Sequence, residues 1–368
     1  MKRMYAIQIF ALFVAVMVTS SCTNRRDGTK NMQPANANIS TMTAKKETAE
    51  KLKYTSGIRS ILHDSKGRYW FGSHQEGASF YDGKSFTYFT VEDGLSDNQV
   101  RTIQEDENGV IWFGTADGVS SYNGIQIQNH SAEDKLFGIR QLDTKNNKVV
   151  ENALWFNAGN NASAYCFDGG DIAVLPFPVN DNHTAMGNFA VTDIANGKDG
   201  MVWFATYSAV FGYDGDKFTT IDDKSLGHSP MTGYLHVRSI LEDSKGRLWI
   251  GNNGIGVLLM EGGSTVNFSD QQKLIHFNSS RSGGRSPSGT LEHVFAIGED
   301  RIGNIWFGDR DTGAWKYDGK SMTNYTVDSK LATQHIWDIY EDRNGELLFA
   351  MDGGGVYAFN GTTFDCVF

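Results

Sequence analysis

A tryptophan returns at a nearly fixed place within a repeated motif through most of this chain, and that regularity restricts the fold more than any other feature. The marks are Trp70, Trp112, Trp155, Trp203, Trp249 and Trp306, with Leu348 in the seventh place. Nine positions before the mark stands an apolar residue (Ile61, Ile103, Ile194, Ile240, Ile297, Ile339); in the third copy it is Leu142, thirteen before. Eleven to thirteen positions after the mark comes an Asp-Gly, Asn-Gly or Glu-Gly pair. The unit 103–124, IQEDENGVIWFGTADGVSSYNG, divides at its turn residues into short strands. Its Asn-Gly suits a two-residue hairpin, because both central positions need φ > 0. A fourth strand should follow each hairpin, as in SFTYFT (85–90), where aromatic residues and threonines alternate. A four-stranded antiparallel sheet cannot bury both apolar faces alone, whereas sheets leaning on one another around an axis can. Seven copies therefore predict an all-β, seven-bladed β-propeller over residues 51–368, with the tryptophans packed between blades. Closure of the ring is open to two readings: Lys51–Thr55 pairs with the seventh blade, or the C-terminal strand 363–368 completes that blade alone.

Upstream of the repeats the composition changes twice. Lys2 and Arg3 precede an apolar run over 7–18 that is too short to cross ~30 Å of hydrocarbon, so residues 1–22 are expected to be an export signal. Thr19-Ser20-Ser21-Cys22 resembles the lipobox of bacterial lipoproteins, which makes Cys22 the expected lipidated residue and membrane anchor; Thr19, where that motif prefers Leu, leaves ordinary cleavage open. Residues 23–50 are polar and without period, as a tether would be. The expected location is the cell envelope, periplasmic or at the cell surface. With 33 basic and 43 acidic residues and the basic ones dispersed, nucleic acid is excluded as a partner. Cys166 and Cys366, in the third and seventh copies, are expected as buried free thiols. No CxxC, HExxH, P-loop or GxSxG pattern occurs, so no metal or cofactor is expected. The Asp-x-x-Gly stretches (64–67, 106–109, 243–246, 300–303, 342–345) lack the ligand series of a calcium loop and read as tight turns.

Function should lie where the copies stop being equivalent. From hairpin to the end of the next first strand the chain takes 19 to 21 residues in three connections but 26, 26 and 36 in the others, the extra length falling in 180–188, 225–235 and 278–290. All three should extend one face of the disc, and long loops on a rigid scaffold are where binding concentrates. On that face stand His236, His293 and His335, each just before an inner strand. They are satisfied structural histidines, hydrogen-bonding groups for a polar ligand, or, given suitable backbone geometry, zinc ligands. Two positions further on are Arg59, Arg101, Arg140 and Arg238, replaced elsewhere by Thr192, Phe295 and Trp337. These arginines either pair with carboxylates such as Glu105, Asp106, Glu242 and Asp243, or form an electropositive channel wall for a carboxylate, sulfate or uronic acid, with Phe295 and Trp337 opposite as stacking platforms. His74, Glu76 and Asp311, among other polar residues of the loops after the tryptophan strands, complete a candidate surface for a polar small molecule, an oligosaccharide or an envelope protein.

Residues 88–124, YFTVEDGLSDNQVRTIQEDENGVIWFGTADGVSSYNG, with echoes at 237–257 and 295–319, resemble the two-component regulator propeller repeats. That family forms periplasmic sensor halves of hybrid histidine kinases in Bacteroidetes, often reading glycans, so the resemblance implies a propeller that binds a ligand without chemistry. Those sensors commonly hold fourteen copies, and this chain holds seven, with no kinase region; a signalling role is expected to run through a partner. A looser resemblance to streptogramin lyases implies the alternative, a lyase or hydrolase with His236, His293 or His335 as general base. Glu292 abuts His293, so the two side chains should point to opposite sides of a strand, against a paired acid and base.

Overall fold

The computed structural model describes residues 51–130, 140–142, 153–179, 187–229, 231–276 and 284–368. The export signal, Cys22 and the tether lie outside the described residues, as do most of 180–188 and part of 278–290. What is described is a seven-bladed β-propeller of four-stranded sheets. In six blades the strands run in chain order from the axis outwards, every pair antiparallel, and the innermost strands are Ile58–His63, Val100–Glu105, Val191–Asn196, Val237–Glu242, Val294–Glu299 and Ile336–Glu341.

Blade 3 departs from this plan. Its axial strand is Leu154–Phe156, and the fourth strand, Arg140–Gln141, pairs in parallel with the outer strand Ile172–Pro176. Leu142, expected to end an axial strand, instead donates its N–H to Val174 O (2.8 Å) and is buried among Leu175, Phe177 and other residues between blades 3 and 4. The thirteen-residue spacing in this copy is the trace of the change.

The tryptophans are the wedges between blades. Trp70 packs on Phe113 and Tyr122 of blade 2, Trp112 on Phe156 and Phe167 of blade 3, and Trp155 on Phe204 and Tyr213 of blade 4. Trp249 and Trp306 do the same for blades 6 and 7. A fully buried indole is worth ~4–6 kcal/mol as an upper bound at ~25 cal/mol per Å². Trp203 is the exception, being half-buried and lying on Gly212, with its N–H bound to Glu242 of blade 5 (2.6 Å). Its copy has Gly197 where five of the others place the turn aspartate (Asp64, Asp106, Asp243, Asp300 and Asp342).

That aspartate explains the turns. Asp243 Oδ1 accepts the N–H groups of Lys245 and Arg247, while Oδ2 accepts from Trp249 Nε1 (2.8 Å) and Arg247 Nε (2.6 Å). Asp64, Asp106 and Asp300 hold Trp70, Trp112 and Trp306 in the same way. Each carboxylate is committed to its turn and its wedge.

Ring closure follows the second of the two readings, with no strand shared between the chain ends. Phe364–Cys366 is the fourth strand of blade 7, and residues 51–55 lie in no strand. Blade 7 meets blade 1 through an apolar cluster containing Tyr54, Ile58, Phe71, Leu348 and Val356, and Phe368 lies against Tyr69, Phe71 and Tyr81. Polar pins accompany it: Ile61 N–H to Asp338 (3.0 Å), His63 N–H to Tyr340 Oη (3.0 Å) and Tyr69 Oη–H to Asp342 (2.5 Å). Gly354, at φ +89°, sits under the Tyr54 carbonyl where any Cβ would collide. Cys166 and Cys366 are both free thiols; Cys166 is buried, but Cys366, on the outermost strand, is exposed against expectation.

Candidate functional site

The axial strands of the six regular blades share one irregularity. In each, the register with the second strand slips across a single residue, namely Arg59, Arg101, Thr192, Arg238, Phe295 or Trp337. A bulge takes its residue out of the ladder and re-aims the side chain. All six, with Trp155 and Asn157 of blade 3, line a cavity of about 450 Å³ on the axis. The bulge is therefore the device that turns a repeated strand end into a ring of side chains.

Trp337 is the hub of that ring. Its Nε1–H donates to Asp352 Oδ1 (3.0 Å), which fixes the plane of the indole. The Arg59 guanidinium carbon lies 4.7 Å and that of Arg238 5.9 Å from the ring centre, and Arg238 also lies 4.4 Å from Phe295 and 5.3 Å from Tyr207. His335 packs on the same indole (4.2 Å), as does His74 (5.6 Å). The aromatic residues do not face the arginines across the channel as expected but carry them, because axial strands converge and their side chains meet in mid-channel. Arg101 is held separately, by Gln99, by Gly159 O (2.7 Å) and by Asn160.

Among the described residues none of Arg59, Arg101 and Arg238 forms an ion pair. The expected carboxylates are occupied: Glu105 by Ser65 and Arg343, Asp106 by Trp112, Glu242 by Trp203, and Asp243 by Arg247 and Trp249. Burial, and after it the charges of Arg238 and Arg101, bring the Arg59 guanidinium down to about 9. Burial likewise lowers Arg101 and Arg238.

A second polar cluster stands on the same blades. His293 Nδ1 lies 2.7 Å from Asn253 Oδ1, and Asn253 Nδ2 lies 3.4 Å from His236 Nδ1. Arg310 pairs with Asp311 (2.9 Å) beside them. Burial, followed by neighbouring arginines, lowers His335 to about 3 and His293 to about 4 and lowers His236 as well, so all three rings are neutral at pH 7. Glu292 accepts the His276 N–H (2.6 Å), apart from the His293–Asn253 contact. His335 Nε2 and His74 Nδ1 are buried without a hydrogen-bond partner among the described residues.

Two candidates fall elsewhere. Glu76 accepts the N–H groups of Thr55 (2.9 Å) and Ser56 (2.8 Å), so it fastens the entering chain instead of facing the channel. The Arg140 backbone lies on the outer edge of blade 3, because that copy places its extra strand outside. The sequence reading missed Asp193 and Asp338, which line the channel one residue beyond the bulge. Asp338 accepts from Ile61 N–H and Asp193 from Ser239 Oγ–H and Ile240 N–H, clasping neighbouring axial strands; burial raises them to about 7 and about 6. The signal was available, since other copies have Ser60, Thr102, Ser239 or Ala296 at that place. Among the described residues no group of three or more His, Cys, Asp or Glu side chains is placed to hold a metal ion.

Residues 94–117 and 233–254 match the two-component regulator propeller family. The chain carries two-component regulator propeller repeats. No curated protein is similar to it in sequence. Among solved structures, this repeat propeller is similar to the extracellular domain of BT4673, a proposed one component system of B. thetaiotaomicron, at 22% identity and TM-score 0.60, over 85% of this chain and 40% of that one. It is similar to the extracellular domain of the proposed hybrid two component system BT3049 of the same organism at 20% identity and TM-score 0.56, over 84% and 40%. The chain thus spans less than half of each of those extracellular domains. A catalytically inactive virginiamycin B lyase from Staphylococcus aureus, solved with quinupristin, is similar at 14% identity and TM-score 0.59, over 85% and 97%. At these identities the likeness is one of fold. No helix among the described residues is long and apolar enough to cross a membrane.

Proposed function

We propose that this chain is a non-catalytic, ligand-binding propeller of sensor type, which takes a polar, carbohydrate-like small molecule at the mouth of its axial channel. The observation that carries the reading is the convergence of six bulged residues on one cavity of about 450 Å³, a volume within the ~300–1,000 Å³ usual for small-molecule sites. The repeats it shares with two-component regulator propellers, and its likeness to sensor extracellular domains, support the same role. In this reading Cys22 carries a lipid that holds the propeller at the cell envelope, and the signal passes to a protein partner.

The lyase fold neighbour favours one other reading, a lyase or hydrolase with His236, His293 or His335 as base. Conjugate acids near 3 and 4 make His335 and His293 poor proton acceptors at neutral pH, where an effective base titrates near the working pH. Thermal-shift titration with a panel of mono- and disaccharides tests the proposal, since a ligand that binds the native state raises Tm. At least one sugar should raise Tm in the intact protein and fail to do so in Trp337→Ala. A panel without effect, or a shift that survives Trp337→Ala, refutes the site. Turnover of a bound sugar that disappears in the His236/His293/His335 triple alanine variant establishes the enzyme instead.

A further inference from the structure

We propose that the ligand of the channel mouth carries an oxyanion, a carboxylate or a sulfate ester, and that Arg59 and Arg238 seat it with Arg101 as third guanidinium. The inference rests on the channel mouth being the binding site and adds the charge class of what binds.

Three cations line one small cavity without an ion pair among the described residues. Two of them lie over the face of the same indole, which Asp352 holds in place. A guanidinium lying on a ring keeps its in-plane N–H groups free, and those edges form the fork that matches a carboxylate or sulfate. Trp337 and Phe295 therefore pre-organise the donors without consuming them, while Tyr207 takes one hydrogen bond from Arg238. The acidic groups in the wall, Asp193 and Asp338, already accept N–H and O–H groups from adjacent axial strands, and Asp97, whose charge acts on Arg101, accepts the Gln99 N–H without forming an ion pair with that arginine. Like charges gathered in a desolvated place oppose one another, as the lowered Arg59 shows, and a bound anion is the partner that removes the opposition. A neutral sugar would hydrogen-bond to these groups but leave their repulsion standing.

The full chain and its Arg59→Gln and Arg238→Gln variants are titrated at fixed ionic strength with glucose, glucuronate and glucose 6-sulfate, and separately with sodium sulfate against sodium chloride, reading Tm and calorimetric affinity. Each variant's own melt reports whether it is folded. An acidic sugar should bind the intact protein at least about ten-fold more tightly than glucose and lose about that factor in either variant. Sodium sulfate should raise Tm in the intact protein more than in the variants. Preference for glucuronate over glucose 6-sulfate identifies a carboxylate as the source of the charge, and the reverse a sulfate ester. Glucose binding as tightly as both acidic sugars overturns this inference and leaves the ligand-binding reading intact. Equal sulfate stabilisation of all three proteins overturns the anion seat. A sulfate effect confined to the intact protein, with no sugar bound, supports the seat and removes carbohydrate from the proposed function.

Discussion

Asp243→Asn tests how the wedges are held. The carboxylate is 1% exposed, and donors reach it from both sides: two turn N–H groups at Oδ1, and the Trp249 indole and Arg247 guanidinium at Oδ2. Asparagine keeps the shape but offers one acceptor, so either orientation sets an NH₂ against N–H donors. With the amide oxygen turned to the backbone, a buried indole N–H loses its partner at ~1–3 kcal/mol, and the charged bond to Arg247 is lost at ~1.5–3 kcal/mol. The variant should therefore be less stable by about 3–5 kcal/mol, with no contact removed from the apolar face of Trp249. Urea unfolding followed by tryptophan fluorescence should show a lower midpoint with an unchanged slope, because the surface exposed on unfolding is the same. The loss should depend on pH. Burial raises the Asp243 carboxyl, but the bonds from Trp249 and Arg247 outweigh it and leave the group below its usual value. Its stabilisation is thus present above pH ~4 and fades as pH falls through the folded value, and the gap between variant and parent should narrow there. A variant within ~1 kcal/mol of the parent at pH 7 would refute the assignment of these turns as wedge holders.

Two further outcomes concern the channel and the seam. Burial raises Asp338 to about 7, so the folded chain holds a proton on this carboxyl that the unfolded chain releases near pH 4; stability should decline as pH rises from about 4 to about 7. Asp338→Asn, able to keep the Ile61 N–H bond through its amide oxygen, should flatten that decline, and a pH series of melts that leaves the slope unchanged sinks the assignment. Tyr69→Phe removes the 2.5 Å bond to Asp342 across the seam between blades 7 and 1, at ~1.5–3 kcal/mol for a hydrogen bond to a charged group. The seam should be the first region to exchange amide hydrogens in the variant, and uniform exchange around the ring would show that closure is not its weak point.

How much of this was legible in the sequence depended on the range of the interaction. The wedge is local: Asp243, Arg247 and Trp249 lie within seven residues of one another, and repetition displays the spacing in copy after copy. Blade number, hairpins and tight turns follow from such spacings. The third copy shows the limit, because a spacing of thirteen instead of nine signals a departure without saying that Arg140–Gln141 moves to the outer edge. Trp203 still packs between blades 4 and 5 but is less deeply buried for a local reason, since Gly197 stands where an aspartate would hold its indole and Gly212 offers it a flat surface.

The channel was harder to read because its contacts join residues far apart in the chain. Arg59 and Trp337 meet only because the ring closes, and nothing in either repeat says whether an arginine at the bulge will lie on an aromatic ring or reach a carboxylate. The carboxylates settle it. Each acidic residue near the axial strand ends is already engaged by its own turn or by the next blade, as Glu105 is by Ser65 and Glu242 by Trp203. The interactions that lock blade to blade thereby leave the bulge arginines without an ion pair among the described residues, Asp97 acting on Arg101 only from a distance. The repeat that builds the scaffold also sets the charge of its channel, and the copies whose bulge residue is not an arginine, those of Thr192, Phe295 and Trp337, decide which wall of the channel carries it.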